Sequence, residues 1–291
     1  MPRLVRSIWI LTGVHLVAGM VAYVHFLVTG SYRLLGWYFT IFGSLFFLIM
    51  AAAECSLAFV CRSWFESDEP MRLAWSMIAF AALARLAGTG IRELADGRLN
   101  WGPNQWLLPH VGGWFASQSQ FGMVIGGPLS MAFLAAGLGR VLSVQRKFRL
   151  SGSLTRGDKA LLILIVAFSL SQLAINVPLL RQHTSPGTSL LWLSDPLLAL
   201  LLIEAVLVRR SVLRIGQGLL ARCWGSFVVA IVTTSLGDAS IWANNRNLLP
   251  DSLIALSWYI WFVAAAAFTC APAYQLEAMS ATSSLRQLEV R

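Results

Sequence analysis

Three ionisable side chains, Arg85, Asp195 and Asp238, interrupt long apolar runs of this sequence. A charge at the centre of a bilayer costs at least about 2.5 to 3.5 kcal/mol on insertion scales, so such a residue is paired, faces a water-filled cavity or serves a function. Counting about 1.5 Å per helical residue from the ends of the runs puts these three residues and Asn176 in the outer third of their segments. We therefore expect them to line one outward-facing cavity.

Two interpretations of this cluster remain open. An arginine and two carboxylates can neutralise one another as a buried ion network. Alternatively, the cavity binds a polar or zwitterionic ligand, with the guanidinium of Arg85 facing an anion and Asp195 or Asp238 facing a cation. The outer connection from Arg92 to Ser119 carries three tryptophans and His110, and it would either form an aromatic belt at the headgroup level or cover the cavity. His110 is therefore also a candidate ligand-binding residue.

A second pair of acidic residues, Glu54 and Glu204, lies in the inner third of two other apolar runs. Glu54 precedes Arg62 by about two helical turns, and Glu204 precedes Arg209 by about one and a half. Each carboxylate would then extend toward its arginine, or be protonated and bonded to the backbone, in a structural role. The other interpretation makes both residues proton or cation sites.

Other chemistries find no support in the residue spacing. His15 is the only histidine deep in an apolar run, so we do not expect a haem held by two histidines. Nucleotide-binding, metalloprotease and serine-hydrolase motifs are absent from the sequence. We predict no catalytic residue, no metal site and no cofactor other than a quinone or a bound lipid, and we favour a non-enzymatic role. The cysteines form no CxxC pair and predict neither disulfides nor a metal cluster; they are Cys55, Cys61, Cys223 and Cys270.

Lipid must be the main solvent of this chain, because 57% of its residues are hydrophobic and only 12% are charged. A helix needs about 20 apolar residues to cross about 30 Å of hydrocarbon, and the sequence contains eight such runs. The net charge of +9 comes from basic residues at the ends of these runs, so we expect no nucleic-acid partner. The predicted spans are Ser7 to Thr29, Leu34 to Cys61, Met71 to Ile91, Gln120 to Leu142, Ala160 to Leu180, Thr188 to Val208, Leu219 to Trp242 and Leu253 to Leu276.

The segment from Arg140 to Lys159 sets the predicted orientation, because it holds six of the 22 Lys and Arg residues. Such loops remain in the cytoplasm. We therefore predict a bacterial inner-membrane protein with both termini cytoplasmic, built from a first half (1–145), a basic loop (146–159), a second half (160–276) and a tail (277–291). The predicted outer connections hold few basic residues, which are Arg33, Arg92, Arg98, Arg181 and Arg246.

The two halves carry a faint internal repeat. Trp75 precedes Gly88 by 13 positions in the third span, and Trp224 precedes Gly237 by 13 in the seventh. Since four spans separate the two copies, both halves would begin on the same side of the membrane, as in a parallel repeat. The sequence therefore predicts an all-α membrane protein of eight transmembrane helices in two tandem four-helix halves.

Short motifs resemble the multi-span N-terminal input regions of bacterial diguanylate cyclases and sensor histidine kinases. These motifs are RLAW at Arg72 to Trp75, RCW at Arg222 to Trp224, LGDASIW at Leu236 to Trp242 and SWYIWF at Ser257 to Phe262. The resemblance covers spans two to four and six to eight, and it implies sensing in the membrane. We expect no output domain in this chain, since only residues 277–291 follow the last span.

The function that we predict is a non-catalytic membrane binding or sensing module, or an accessory subunit of a membrane complex, with an outward-facing polar pocket. Its expected partners are the lipid bilayer and a cytoplasmic or membrane partner subunit. Two alternatives remain open at this point: a quinone-binding membrane anchor of a redox complex, and a small secondary transporter.

Overall fold

The computed structural model describes residues 2–95, 117–150, 153–176, 186–214 and 216–289, and all regular structure in these ranges is helical. This confirms the predicted all-α class. The helices are α1 (Arg3–Thr29), α2 (Arg33–Tyr38), α3 (Ser44–Ser63), α4 (Pro70–Ala95), α5 (Gln118–Val124), α6 (Ser130–Lys147), α7 (Arg156–Asn176), α8 (Pro186–Leu191), α9 (Ser194–Leu213), α10 (Leu219–Asn245) and α11 (Ile254–Glu289).

Seven helical segments in the described ranges are long and apolar enough to cross a membrane, as in a multi-pass membrane protein. Two of them are continuous through π-helical turns: α2 joins α3 through Phe39–Gly43, and α5 joins α6 through Ile125–Leu129. Pro128 lies in the second of these turns, whose wider hydrogen-bond spacing accommodates its missing N–H. The predicted fifth span begins within α7, which has 21 residues, and its last four positions lie outside the described residues.

Local sequence signals explain where several helices begin and end. Pro70 opens α4, where a missing N–H costs nothing. Gly30 ends α1 in a left-handed conformation at φ 68°, and its N–H donates to the carbonyl of Phe26. Before α7, the backbone N–H of Thr155 donates to Asp158 and the N–H of Asp158 donates back to the Thr155 hydroxyl, so two exposed donors of the helix start are satisfied.

Six long helices form a closed ring. In order around it, α3 packs against α4, α4 against α6, α6 against α9, α9 against α10, α10 against α11, and α11 against α3. The remaining two long helices lie outside this six-helix ring, with α1 against α11 and α7 against α9. The interior of the ring is therefore bounded by helices from both parts of the chain.

Trp75 and Trp224 meet across this interior, with ring centroids 6.2 Å apart. They belong to α4 and α10, which occupy opposite positions in the ring, and both side chains are buried. Each lies about one and a half turns after the start of its helix. The tryptophan pair therefore fills the interior at the end where α3 and α9 finish and α4 and α10 begin, which we call the basic end.

Candidate functional site

A cavity of about 340 Å³ occupies the ring interior beyond the tryptophan pair, toward the end opposite the basic end. All six ring segments contribute to its walls. Its polar lining includes Arg85 and Arg92 from α4, Ser194 from α9, and Thr234 and Asp238 from α10. We call this space the central cavity.

Glycine contacts hold one wall of the central cavity together. A Cβ on Gly88 would lie 2.3 Å from the backbone nitrogen of Gly126 and 2.5 Å from the carbonyl oxygen of Gly122. α4 therefore packs backbone to backbone against α5 and the π-helical turn that follows it, which we call the α5 segment (residues 118–129), as small residues allow in membranes. Gly122 and Gly126 form a GxxxG pair, a spacing that lets two membrane helices approach closely.

Arg85 is neutralised by Glu54. Its Nη2 lies 2.7 Å from Glu54 Oε1, its Nε lies 3.1 Å from Oε2, and its guanidinium stands 4.1 Å above the ring of Phe268. This corrects two predictions at once. The carboxylate partner of Arg85 is neither Asp195 nor Asp238, and Glu54 does not extend toward an arginine at the inner end of its own helix.

The register of the α3–α4 hairpin explains this pairing. Arg62 donates to the hydroxyl of Ser76 at 2.9 Å. From that contact, Glu54 is eight residues along α3 and Arg85 is nine residues along α4, so the two reach the same level. The depth estimate was wrong because it assumed that both helices end at one level, whereas α4 starts farther toward the basic end than α3 extends.

The second arginine of the central cavity, Arg92, is also neutralised. Its Nη2 lies 2.9 Å from Oε1 of Glu93, which is fully buried and also accepts a hydrogen bond from Ser44. The sequence prediction put Arg92 in an outer connection and overlooked Glu93. α4 continues for one more turn beyond Ile91, and this turn brings both residues into the ring. The residues of this turn favour a helix, and that propensity could have predicted the longer span.

Asp238 connects the central cavity to a second cavity of about 270 Å³, which it lines together with Asp195, Gln172 and Trp261. Arg85 and Asp195 thus line two adjoining cavities rather than the predicted single one. In the part of the chain that the structure describes, neither Asp195 nor Asp238 forms a salt bridge. Trp261 lines both cavities together with Asp238.

The other predicted site residues lie apart from the central cavity or outside the description. Glu204 faces α6, where its Oε1 is 3.0 Å from the position of a Cβ on Gly139, and its buried Oε2 has no hydrogen-bond partner among the described residues. Glu204 therefore does not pair with Arg209 as predicted. Asn176 is the last residue of α7, and its side chain is not described. His110 lies outside the described residues.

The chemistry of the site follows from this charge balance. Two arginine–glutamate pairs cancel, which leaves the carboxylates of Asp238 and Asp195 to set the sign of the two cavities. Among the described residues, no three His, Cys, Asp or Glu side chains come together as a metal site requires. The arrangement is suited to binding a cation or a hydrogen-bond donor between apolar walls. Comparisons with family models, curated proteins and solved structures found no match for this chain.

Proposed function

We propose that this protein is a non-catalytic membrane binding module, of the sensing or accessory kind, whose ligand is a small amphipathic organic cation such as an amine. The ligand enters the central cavity from the end opposite the basic end. Its positive group faces Asp238, with Asp195 behind it, and its apolar part lies within the ring. The carboxylates give the site its selectivity for cations.

The observation that carries this proposal is the distribution of salt bridges around the cavity. Both cavity arginines are engaged, Arg85 by Glu54 and Arg92 by Glu93, so neither offers a free guanidinium to an anion. Asp238 has no such partner among the described residues and lines both cavities. A partly buried carboxylate between apolar walls and without a counter-ion is costly, and a bound cation would reduce that cost.

The apolar walls favour the same class of ligand. Phe47, Met131, Trp261 and Phe268 line the central cavity. Aromatic faces attract organic cations, and methionine adapts to irregular ligand shapes. The volume of about 340 Å³ lies at the lower end of the range of about 300 to 1,000 Å³ for small-molecule sites. A ligand of a few to about a dozen heavy atoms is therefore the appropriate size.

The full architecture that we propose has eight spans in two tandem halves, with the basic end in the cytoplasm of a bacterial inner membrane. Its support is the order of packing in the ring, in which α3–α4 corresponds to α9–α10, α4–α6 to α10–α11, and α11–α3 to α6–α9. Gly88 faces the last span of its half and Gly237 faces Trp261 of α11, the last span of the other. Sensing is the role that the resemblance to bacterial input regions implies.

Binding of a defined cation tests the proposal. The full chain in lipid nanodiscs would be titrated calorimetrically with phenethylamine and with its uncharged analogue 2-phenylethanol. We expect the amine to bind at least tenfold more tightly than the alcohol, and Asp238→Asn to remove that preference. Asp68→Asn, an exposed acid at the basic end, serves as the control and retains it.

A second pair of variants tests the location. Ala265 lines the central cavity, and Ala265→Leu would fill part of it, whereas Ala52→Leu adds the same atoms to the exposed side of α3. Only the first should weaken amine binding. Equal binding of amine and alcohol, or an unchanged affinity in Asp238→Asn, would overturn the proposal. Copurified quinone would instead favour the redox anchor, and ion-driven uptake into vesicles the transporter.

A further inference from the structure

A second region of interest is a cavity of about 740 Å³ at the basic end. It lies between the first turns of α1, the last turns of α9, the first three turns of α10 and the middle of α11. Trp9, Arg209, Arg222 and Tyr274 are among its lining residues. We call it the arginine groove. The proposed cation site makes no use of it.

The arginine groove contains positive charge that no described residue neutralises through a salt bridge. Within the described ranges, neither Arg209 nor Arg222 forms a salt bridge. Arg210 also lines the groove but is bound by Asp158, with its Nη2 2.7 Å from Oδ1. Arg209 and Arg222 come from different helices, so the two free guanidinium groups approach the groove from α9 and from α10.

A small residue makes room for one of these arginines. A Cβ on Gly225 would lie 3.3 Å from Nε of Arg209, so the side chain of Arg209 crosses α10 at a position without a side chain. Ser226 and Ala267 also line the groove with small side chains. The groove is therefore a gap left by small residues beside two arginines.

The groove is amphipathic. Its polar part holds the arginines with Gln217, while Leu213, Val228 and Val229 give it apolar walls. Trp9 contributes a ring of the kind that favours the headgroup level of a bilayer. A ligand that matches both parts carries an anionic group and an apolar chain. Guanidinium groups recognise phosphate oxygens through paired N–H donors.

We propose that the arginine groove binds a phosphate group, with Arg209 and Arg222 as its two cationic donors. The apolar walls favour a phosphate carried by a lipid of the adjacent leaflet over a free phosphate ion. The acyl chain lies against Leu213, Val228 and Val229, and the headgroup lies beside the arginines. Basic pockets between membrane helices bind anionic headgroups by this chemistry.

Native mass spectrometry of the full chain in mild detergent provides the test. The probes are dioleoyl phosphatidylglycerol, dioleoylglycerol, which lacks the phosphate, and inorganic phosphate. We expect saturable binding of the phospholipid, little binding of the diacylglycerol, and at least about tenfold weaker phospholipid binding in Arg209→Gln/Arg222→Gln, since a hydrogen bond to a charged group is worth about tenfold or more in affinity. The control is Arg146→Gln/Lys147→Gln, which removes the same charge from the end of α6, outside the groove.

The outcomes separate the source of the phosphate from the existence of the site. Arginine-dependent binding of the phospholipid alone supports a lipid ligand. Arginine-dependent binding of inorganic phosphate supports the same site with a soluble ligand. The single variant Arg222→Gln guards against misfolding, because Arg222 is exposed, and it should weaken binding in the same direction. Equal weakening in the control, or equal binding of diacylglycerol, would overturn the proposal.

Discussion

Glu54 holds Arg85 by two hydrogen bonds of 2.7 and 3.1 Å, and the carboxylate of this pair is almost fully buried. Glu54 lies on α3 and Arg85 on α4, the two helices of the first long hairpin. Their contact therefore fixes how far α4 is shifted along α3. Breaking a buried ion pair by removing one partner leaves an uncompensated charge and costs about 3 to 5 kcal/mol. Glu204 forms no such salt bridge among the described residues, so Glu54 and Glu204 differ in their surroundings.

We predict opposite behaviour for these two acids. Glu54→Gln should lower the thermal unfolding midpoint of the detergent-purified protein strongly, because Arg85 loses its counter-ion. Glu204→Gln should change the unfolding free energy by no more than about 1 kcal/mol, because the Glu204 Oε2 has no hydrogen-bond partner in the described part of the chain. The double variant Glu54→Gln/Arg85→Met should recover part of the loss, since it removes both charges. Equal destabilisation by the two single variants would contradict this account.

A glycine substitution tests the backbone contact between α4 and the α5 segment. Gly88→Ala would bring its Cβ to 2.3 Å from a backbone nitrogen, which cannot move aside as a side chain would. We expect a loss of about 1 to 3 kcal/mol in unfolding free energy, or misassembly of the ring. Gly13→Ala is the matched control, because a Cβ there meets nothing within 4 Å. Circular dichroism melts of both variants provide the measurement, and an unaffected Gly88→Ala protein would refute the close approach.

Much of the fold could be predicted from the sequence because its causes are local. Apolar runs of about 20 residues predict membrane-spanning helices, and Pro70 and Gly30 mark where two of them begin and end. The helical class and the long apolar helices are confirmed by the structure. The tandem repeat stays a prediction, and so does the sidedness of the membrane.

The pairing within the site could not be predicted, because it depends on how far one helix slides along another. Gly88 permits α4 to approach the α5 segment, and the hairpin register aligns Glu54 with Arg85. Counting residues from the ends of the apolar runs predicts neither the close helix contact nor this alignment. Asp238 could be identified as a cavity residue because a lone acid in an apolar run needs an explanation wherever it lies.

The hydrogen bonds between Thr155 and Asp158, which cap the start of α7, make the stability of the fold depend on pH. Burial alone would raise the pKa of Asp158, but hydrogen bonds from Arg210 and Thr155 outweigh it and lower the pKa to about 2. Because the unfolded value is about 3.9, the ionised cap stabilises the fold fully above about pH 4, and that contribution is lost as the pH falls toward 2. Asp158→Asn should therefore lower the unfolding midpoint at pH 7 and reduce its change between pH 4 and 2. Melts of the wild type, Asp158→Asn and the exposed control Asp68→Asn across this range provide the comparison. If Asp158→Asn had the same pH profile as the wild type, Asp158 would not be the source of the pH dependence.

The last prediction concerns sidedness, on which the direction of ligand entry depends. Basic residues concentrate at the end of the bundle where α6 finishes, so this end should be cytoplasmic by the positive-inside bias. Phe148, next to Lys147 at the end of α6, and Leu248, in the turn after α10, are both exposed. The native cysteines are buried, so they give little background. In intact cells an impermeant thiol reagent should label Leu248→Cys and spare Phe148→Cys, and lysis should make Phe148→Cys reactive. The reverse labelling pattern would show that the protein has the opposite orientation. The central cavity would then open to the cytoplasm, and the arginine groove would face the opposite leaflet.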